Sequence, residues 1–194
     1  VMSGCHRPLR ICFPFFSRRT EGVYQPFKKV YMVTVGILTM SDKGSRGERE
    51  DLSGREIERM IKELPAEVRA YEVIPDETDI IKAKLIEYAD VKKLDLILTT
   101  GGTGVTPRDV TPEATKAVIE RELPGMSEAM RAESLKKTPN AMISRAVCGI
   151  RKESLIINLP GSPKAVRENL AVVMPALNHT IEKIKGSPSE CATA

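Results

Sequence analysis

The residues best suited to chemistry lie in one run, LDLILTTGGTGVTPRDVTPEAT, which extends from Leu94 to Thr115. Its three glycines allow the backbone to turn sharply and to expose N–H groups, as phosphate binding requires. Thr111 followed by Pro112 has the pattern of an N-cap and a first helical residue, which predicts a helix N-terminus facing the same loop. Asp109 would repel a phosphate unless a metal ion lay between them. The run therefore predicts a site for a nucleotide with its metal ion.

This glycine turn departs from two common nucleotide-binding motifs. Gly104 is followed by Val105, Thr106 and Pro107, without the Gly-Lys-Ser or Gly-Lys-Thr that reaches the β- and γ-phosphates in a P-loop. The Gly-x-Gly-x-x-Gly spacing of a dinucleotide fingerprint is also absent. The sequence thus argues against a P-loop kinase and against a nicotinamide-dependent dehydrogenase.

From Met32 onwards, strand and helix patterns alternate. Short apolar runs predict strands over 33–40, 67–74, 94–100, 147–151 and 154–159, with the last two adjoining or forming a hairpin. Apolar stripes and caps predict five helices. The first begins with a capping box at 53–56, the second covers 80–86, and the third extends from Thr111 to near Pro124. The fourth covers 127–136, and the fifth begins at Ser162 and Pro163. This alternation predicts an α/β domain with a mostly parallel sheet and helices on both faces.

Four polar or glycine-rich motifs follow predicted strands. Because ligands bind beyond the carboxyl ends of the strands in such sheets, we expect these motifs to lie together although they are far apart in sequence. They are Ser41-Asp42, Pro75-Asp76, the run 100–104 and Asn158-Leu159-Pro160-Gly161.

Charge is unevenly distributed along the 194 residues, of which 41% are hydrophobic. The formal net charge is +4, but residues 1–31 hold six Lys or Arg against Glu21 alone, which leaves 24 basic and 25 acidic residues for 32–194. A core of this size fits one domain. The balanced body predicts no nucleic-acid partner.

The first 31 residues also differ in composition, since they hold all four Phe. We expect them to be an appendage, with Met32 a plausible native start, a domain over 32–186 and a short tail over 187–194. A signal peptide is the competing interpretation, but the apolar run 11–16 is too short and contains Pro14. Cys148 and Cys191 lack zinc-like or disulfide-like spacing. No apolar stretch is long enough to span a membrane, so a cytoplasmic location is expected.

Six motifs in order resemble those of a known family, the molybdopterin adenylyltransferases, the Mog-type enzymes of molybdenum cofactor synthesis. GGTG alone is unspecific, whereas Pro-Arg-Asp-Val-Thr-Pro combined with Pro-Asp-Glu at this spacing is specific. The resemblance covers roughly residues 33–186. The motifs are Ser41-Asp42, Ile74-Pro75-Asp76-Glu77, TTGGTG at 99–104, PRDVTPEAT at 107–115, Ser144-Arg145 and Asn158-Leu159-Pro160-Gly161.

The resemblance implies a three-layer α/β/α sandwich like that of molybdopterin-binding domains, usually assembled as a homotrimer. It also implies a reaction in which ATP and molybdopterin give adenylyl-molybdopterin and pyrophosphate with Mg²⁺. The product would pass to a separate molybdenum-insertion protein. In that family, the aspartates that match Asp76 and Asp109 are the critical acids.

The residue types suit this chemistry. The nucleophile would be the terminal phosphate of molybdopterin, which is ionised at neutral pH, so no general base is needed. We assign Asp76 and Asp109 to catalysis, holding magnesium or orienting metal-bound phosphates. The expected nucleotide and phosphate contacts are Gly101, Gly102, Thr103, Gly104, Arg108 and Thr111. The expected pterin or substrate contacts are Ser41, Asp42, Ser144, Arg145, Pro160, Gly161 and Ser162.

Each of these residues also has a purely structural interpretation. The glycine turn can simply join strand to helix, Asp109 can cap a turn, and Asp76 can cap a helix that begins near Thr78. Arg108 can be a solvated surface charge, and Ser162 is explained as a helix start. Ser144 and Arg145 fit ordinary helix-end positions, and Asp42 can structure its own loop. The combination in order favours catalysis.

Two other classes of function remain open. One is a MoaB-like pterin-binding protein without transferase activity, whose relatives often depart from the two acidic motifs kept here. The other is a non-enzymatic scaffold that uses the basic, aromatic segment 1–31 on nucleic acid, which a salt-dependent gel shift would reveal.

Overall fold

The computed structural model of the chain describes residues 32–188. The atypical segment 1–31 and residues 189–194 of the expected tail lie outside the described residues. The elements in chain order are β1 (Val33–Met40), α1 (Asp42–Ser45), α2 (Leu52–Ile61), β2 (Ala66–Ile74), α3 (Thr78–Ile86), β3 (Leu96–Thr100), α4 (Thr111–Lys116), β4 (Arg121–Glu122), α5 (Pro124–Leu135), β5 (Cys148–Arg151), β6 (Ser154–Leu159) and α6 (Pro163–Ile184).

Six strands form one sheet in the order β2-β1-β3-β6-β5-β4. The first four are mutually parallel, and β5 and β4 add an antiparallel edge, so the predicted mostly parallel sheet and the predicted β5–β6 hairpin are confirmed. Every residue of β3 and β6 is buried. Continuous apolar runs of this kind are typical of strands that are covered on both faces.

Helices cover both faces of the sheet and enclose two separate cores. The first core packs α2, α5 and α6 on the sheet, with Ile57, Met130 and Leu177 among its buried side chains. The second packs α3 and α4 on the other face, with Leu85 and Ala114 inside. Burying each large aliphatic side chain contributes about 1.5–3 kcal/mol. The result is the expected three-layer sandwich.

Helix α2 begins one residue after Asp51, so the predicted capping box at Ser53 is wrong. The Asp51 carboxylate accepts a hydrogen bond from the Gly54 N–H (2.9 Å), and the Ser53 hydroxyl donates to the same carboxylate (3.0 Å). An aspartate caps a helix as well as a serine does. Asp51 takes the position because strand residues also donate to its carboxylate.

The prediction that Thr111 is an N-cap is also wrong. Val110 occupies the cap position, and Thr111 is the first residue of α4, completely buried. The helix ends at Lys116 rather than near Pro124, because β4 follows it. Pro124 instead opens α5, as proline does in a first helical turn, so that helix starts before the predicted residue 127.

Helix α3 buries only part of its predicted apolar stripe. Ile81 and Leu85 are fully buried, but Ile80 and Ile86 are 41% and 37% exposed. A π-helical turn over Glu87–Val91 continues the helix and shifts its inward face, so that Tyr88 becomes part of the core. Among the described residues, none of the helices has the length and apolar character needed to cross a membrane.

Candidate active site

A cavity of about 560 Å³ opens at the carboxyl ends of β1, β2, β3 and β6. It is where the sequence pattern places a ligand site, and it brings together eight of the predicted site residues from four strand ends. These are Ser41, Asp42, Asp76, Gly101, Gly102, Arg108, Asp109 and Gly161.

The turn after β3 can be built only from glycine. Gly101 and Gly102 have φ values of +96° and +62°, a region that side-chain-bearing residues rarely adopt. A Cβ at Gly101 would collide with the backbone oxygen of Met40, and one at Gly102 would collide with the Thr111 hydroxyl and lie 3.1 Å from Asp76 Oδ1. The turn therefore presses closely against β1 and against a predicted metal ligand.

Thr111 stabilises this turn from within the protein. Its hydroxyl donates to the Gly101 carbonyl (3.0 Å), and its backbone N–H donates to the Gly102 carbonyl (3.1 Å). Because Thr111 is completely buried, the predicted phosphate contact becomes a support of the glycine turn.

Asp42 and Asp76 connect the ends of β1 and β2 reciprocally. The Asp42 N–H donates to Asp76 Oδ2 (3.0 Å), and the Asp76 N–H donates to Asp42 Oδ1 (3.1 Å). Burial raises the pKa of Asp76 above its usual value, and the negative charges of Asp42 and Asp109 act in the same direction, whereas the Asp42 N–H and Arg108 lower it. Glu77, not Asp76, occupies the N-cap position of α3, so the helix-cap interpretation of Asp76 is wrong.

Arg108 lies on the cavity wall in ion pairs with two carboxylates. Its Nε and Nη2 donate to the two oxygens of Asp42 (3.0 and 2.8 Å), and Nη2 also lies 2.9 Å from Glu77 Oε1. The Arg108 hydrogen bond is the main reason that the pKa of Asp42 is lowered. Two predicted ligand contacts are thus paired with one another in the free protein.

Asp109 caps its own turn and also lines the cavity. Its Oδ2 accepts a hydrogen bond from the Thr106 N–H (2.7 Å). A Cβ at Gly104 would lie 2.9 Å from the same oxygen, so glycine at that position leaves room for the carboxylate. The structural and the functional interpretation of Asp109 are therefore compatible.

The sequence pattern missed Asp51 as a residue of the cavity wall. Its carboxylate accepts hydrogen bonds from the Thr39 hydroxyl and the Tyr71 hydroxyl (both 2.5 Å), besides those from Ser53 and Gly54. Burial opposes its charge, but these four donors together lower the pKa of Asp51. The signal in the sequence was an aspartate before an apolar stripe. Its strand partners follow only from the sheet.

Two basic residues of the same wall were also missed. Lys43 and Arg49 line the cavity, and over residues 32–188 neither forms a hydrogen bond or salt bridge through its side chain. The neighbouring Arg46 is paired with Glu48 (2.7 Å). Lys43 and Arg49 therefore supply positive charge to the cavity that no salt bridge within the described chain offsets.

A second cavity of about 240 Å³ lies on the other side of the glycine loop. Gly101 and Gly102 line the first cavity, whereas Thr103 and Gly104 line the second, together with the predicted Ser144 and Pro160. The rest of its lining was missed by the sequence pattern. These side chains come from the inner faces of α5 and α6 and from the segment between α5 and β5. They include Arg131, Ser134, Asn140, Glu168 and Asn169.

Two predicted substrate contacts, Ser162 and Arg145, have hydrogen-bond partners within the protein. Ser162 is the N-cap of α6, where its hydroxyl accepts from the Ala165 N–H (3.1 Å), as the helix-start interpretation expects. Arg145 lies beside a shallow depression with Asp109 and Glu113, and its guanidinium is bound to the protein. Ser41 lines the first cavity and also caps α1 through its hydroxyl, which accepts from the Gly44 N–H (3.0 Å).

The carboxylates suit a metal ion that arrives with a phosphate. In the part of the chain that the structure describes, no three or more His, Cys, Asp or Glu residues are grouped to hold a metal by themselves. Mg²⁺, however, is usually held by one or two carboxylates together with phosphate oxygens and water. Burial raises the pKa of Asp76, the charges of Asp42 and Asp109 act in the same direction, and a bound cation would favour the ionised carboxylate. Asp76 and Asp109 therefore fit this kind of site.

Comparisons with known proteins identify the class to which this fold and site belong. A family model described as "Probable molybdopterin binding domain" matches residues 36–179. The chain therefore belongs to the molybdopterin-binding-domain family of molybdenum cofactor biosynthesis.

Particular relatives share most of the chain. A molybdopterin adenylyltransferase of Helicobacter pylori (strain J99) is 48% identical over 158 residues, which cover 80% of this chain and 89% of the relative. That of Escherichia coli (strain K12) is 43% identical over 150 residues, 76% of each chain. The crystal structure of the molybdopterin biosynthesis enzyme MoaB from Thermus thermophilus matches with a TM-score of 0.77 at 52% identity, covering 82% of this chain and 100% of that one.

Proposed function

We propose that the protein catalyses the Mg²⁺-dependent transfer of AMP from ATP to the terminal phosphate of molybdopterin, releasing pyrophosphate. The relatives named molybdopterin adenylyltransferase, at 43–48% identity, support this class of enzyme. The observation that carries the proposal is the pair of cavities that share one glycine loop, with Asp76 and Asp109 facing the larger. Such a loop can hold two substrates side by side.

The larger cavity suits the nucleotide. The glycine turn lines it, and Lys43 and Arg49 offer the phosphates positive charge that no salt bridge within residues 32–188 offsets. Arg108 already binds both oxygens of Asp42 through Nε and Nη2, so we assign it first to holding Asp42.

The smaller cavity suits the pterin. Its lining combines hydroxyl and amide groups with an apolar surface, which is the usual composition of a site for a flat heterocycle. The Ser134 hydroxyl donates to Asn169 Oδ1 (3.3 Å), which leaves the amide nitrogen of Asn169 to the Ala165 carbonyl. Ser144 and Asn140 complete the polar side of this cavity.

The reaction requires orientation and charge neutralisation more than proton transfer. An oxygen of the molybdopterin phosphate forms a bond to the α-phosphorus of ATP. The bond from that phosphorus to the bridging oxygen breaks, and pyrophosphate leaves with the electron pair. Mg²⁺ bound by Asp76 and Asp109 would neutralise charge on the α-phosphate and on the leaving pyrophosphate. The described side chains hold the two anionic substrates at the glycine loop.

We further propose that the protein acts in the cytoplasm as a homotrimer and passes adenylyl-molybdopterin to a separate metal-insertion protein. The motif resemblance to Mog-type enzymes supports these proposals. A second candidate function is pterin binding without transfer, since a relative of 52% identity is named MoaB.

Adenylyl transfer is the experiment that tests the proposal. The protein is incubated with ATP, Mg²⁺ and molybdopterin, and adenylyl-molybdopterin and pyrophosphate are quantified. Asp76→Asn and Asp109→Asn should each lower the rate at least ~100-fold, as loss of a group acting on the transition state does. Asp79→Asn is the matched control, because its side chain is 93% exposed and, among residues 32–188, forms a salt bridge with Lys82 alone. Binding of molybdopterin without product would favour the MoaB-like function.

A further inference from the structure

Arg145 lies outside the two proposed substrate cavities and lines a shallow depression with Asp109 and Glu113, while its guanidinium is held by acceptors of the protein. Its Nε donates to the Gly104 carbonyl (2.6 Å), Nη2 donates to the Asp109 carbonyl, and Nη1 pairs with the Glu113 carboxylate. Its backbone N–H donates to the Thr103 carbonyl (3.0 Å). One residue thus connects the end of the glycine loop, the residue predicted to hold the metal ion, and helix α4.

The segment that Arg145 holds has little regular structure of its own. Between β3 and α4, the Asp109 N–H donates to the Thr106 carbonyl (2.9 Å), and the Thr106 N–H donates to the Asp109 carboxylate (2.7 Å). These two bonds close a turn, but they do not fix that turn against the glycine loop. The guanidinium bonds to Gly104 and Asp109 do so, together with the Thr111 bonds to Gly101 and Gly102.

We infer that Arg145 is a positioning residue that holds Asp109 in place at the metal–phosphate site. This inference rests on the proposed function, since it assigns Asp109 to the metal ion. A guanidinium has five N–H donors in a rigid plane and can hold three acceptors in fixed directions, whereas a lysine ammonium is a compact charge at the end of a flexible chain. Arg145 therefore acts on the site through the loop. We assign it this positioning role in place of the direct substrate contact expected from the sequence.

The neighbouring residue gives this assignment a second consequence. Ser144 lines the smaller cavity beside Thr103 and Gly104, while Arg145 holds the other side of the same loop. The Ser144–Arg145 pair thus fixes the loop between the two proposed substrate sites. A shift of this pair would change the separation of the pterin and the nucleotide.

The test compares Arg145→Lys and Glu113→Gln with the unmodified protein and with Arg151→Lys. Arg151 is a matched control, because it also binds a carboxylate through two nitrogens (2.9 and 2.6 Å to Asp90) and a backbone carbonyl (2.9 Å to Val118). It lies at the end of β5 that pairs with the start of β6, opposite the cavity. Glu113→Gln removes the negative charge that pairs with Nη1 of Arg145 and leaves the two backbone acceptors.

Hydrogen exchange, metal binding and kinetics are the three measurements. In Arg145→Lys, hydrogen exchange over 103–113 should accelerate at least ~10-fold. The affinity for Mn²⁺ in the presence of ATP, measured by electron paramagnetic resonance, should weaken ~10–100-fold, as when an outer partner of a metal ligand is lost. The kcat should fall by a similar factor, with the KM for molybdopterin within about twofold. Glu113→Gln should give smaller effects of the same kind. Arg151→Lys should lower Tm but leave hydrogen exchange over 103–113, Mn²⁺ binding and kcat unchanged.

Two results would overturn the inference. Unchanged exchange over 103–113 in Arg145→Lys would show that Arg145 does not hold the loop. A raised KM for molybdopterin at unchanged kcat would show that Arg145 contacts substrate. Exchange and Mn²⁺ binding require no turnover, so a protein that transfers no AMP would refute the proposed function and still allow this inference to be judged.

Discussion

Replacing Gly102 with alanine tests whether the glycine turn is as tightly packed as the structure shows. A left-handed backbone costs a residue with a Cβ about 1–2 kcal/mol. The new methyl group would also displace the completely buried Thr111 hydroxyl from the Gly101 carbonyl, and an unsatisfied buried group costs about 1–3 kcal/mol. Gly102→Ala should therefore lower the free energy of unfolding by about 2–5 kcal/mol.

Urea unfolding at 25 °C measures this loss, and Gly186→Ala is the control. Gly186 also has a positive φ (+79°), but a Cβ there would meet nothing within 4 Å, so its substitution measures the backbone cost alone. In a Thr111→Ala background, Gly102→Ala should cost little more than Gly186→Ala. If Gly102→Ala costs no more than Gly186→Ala in the unmodified background, the proposed collision does not exist.

Three further predictions concern charged residues of the cavity. Asp76→Asn should abolish transfer and raise Tm at pH 7. Because the pKa of Asp76 is raised on folding, its negative charge lowers the stability of the folded protein as pH rises through that pKa. The gain in Tm should therefore vanish in acid, where the carboxyl group is protonated. Asp51→Asn should cost about 1–3 kcal/mol in urea unfolding at pH 7. Because the pKa of Asp51 is lowered, this cost should shrink as pH falls below the ordinary value of 3.8. Arg49→Ala should raise the KM for ATP ~10-fold, as loss of a charged contact does. Arg46→Ala should leave this KM unchanged, because Arg46 is already paired with Glu48.

Each of these predictions has a result that contradicts it. A lower Tm for Asp76→Asn would mean that the carboxylate stabilises the fold. An Asp51→Asn cost that is constant down to pH 2 would mean that its hydrogen bonds do not depend on its charge. Equal KM values for Arg49→Ala and Arg46→Ala would remove Arg49 from the phosphate site.

The sequence predicted the features that depend on local pattern. The alternation of apolar runs and capped helices predicted the sheet. The rule that ligands lie at the carboxyl ends of parallel strands predicted that Ser41-Asp42, Pro75-Asp76 and the glycine turn lie together. The start of α6 was predicted correctly because Ser162 and Pro163 form a complete local signal.

The features that the sequence missed depend on partners from distant segments. Arg108 could not be assigned to Asp42, because 66 positions separate them and only the sheet brings them together. Thr111 has the local pattern of an N-cap, but the neighbouring glycine turn offers its hydroxyl a buried carbonyl. The lining of the smaller cavity includes residues on one face of α5 and α6, where packing and binding residues follow the same helical period.

The parallel pairing of the central strands also determines when the site can form during folding. β1 pairs with β3, and β3 with β6, between residues about 60 positions apart. Closing such long loops comes before any gain from the contacts, so parallel sheets of this kind form slowly. The glycine turn, Asp76 and Gly161 meet only after these pairings are made. Substrate binding therefore reports completion of the fold, and a chain that ends before β6 should fold without a binding site or fail to fold.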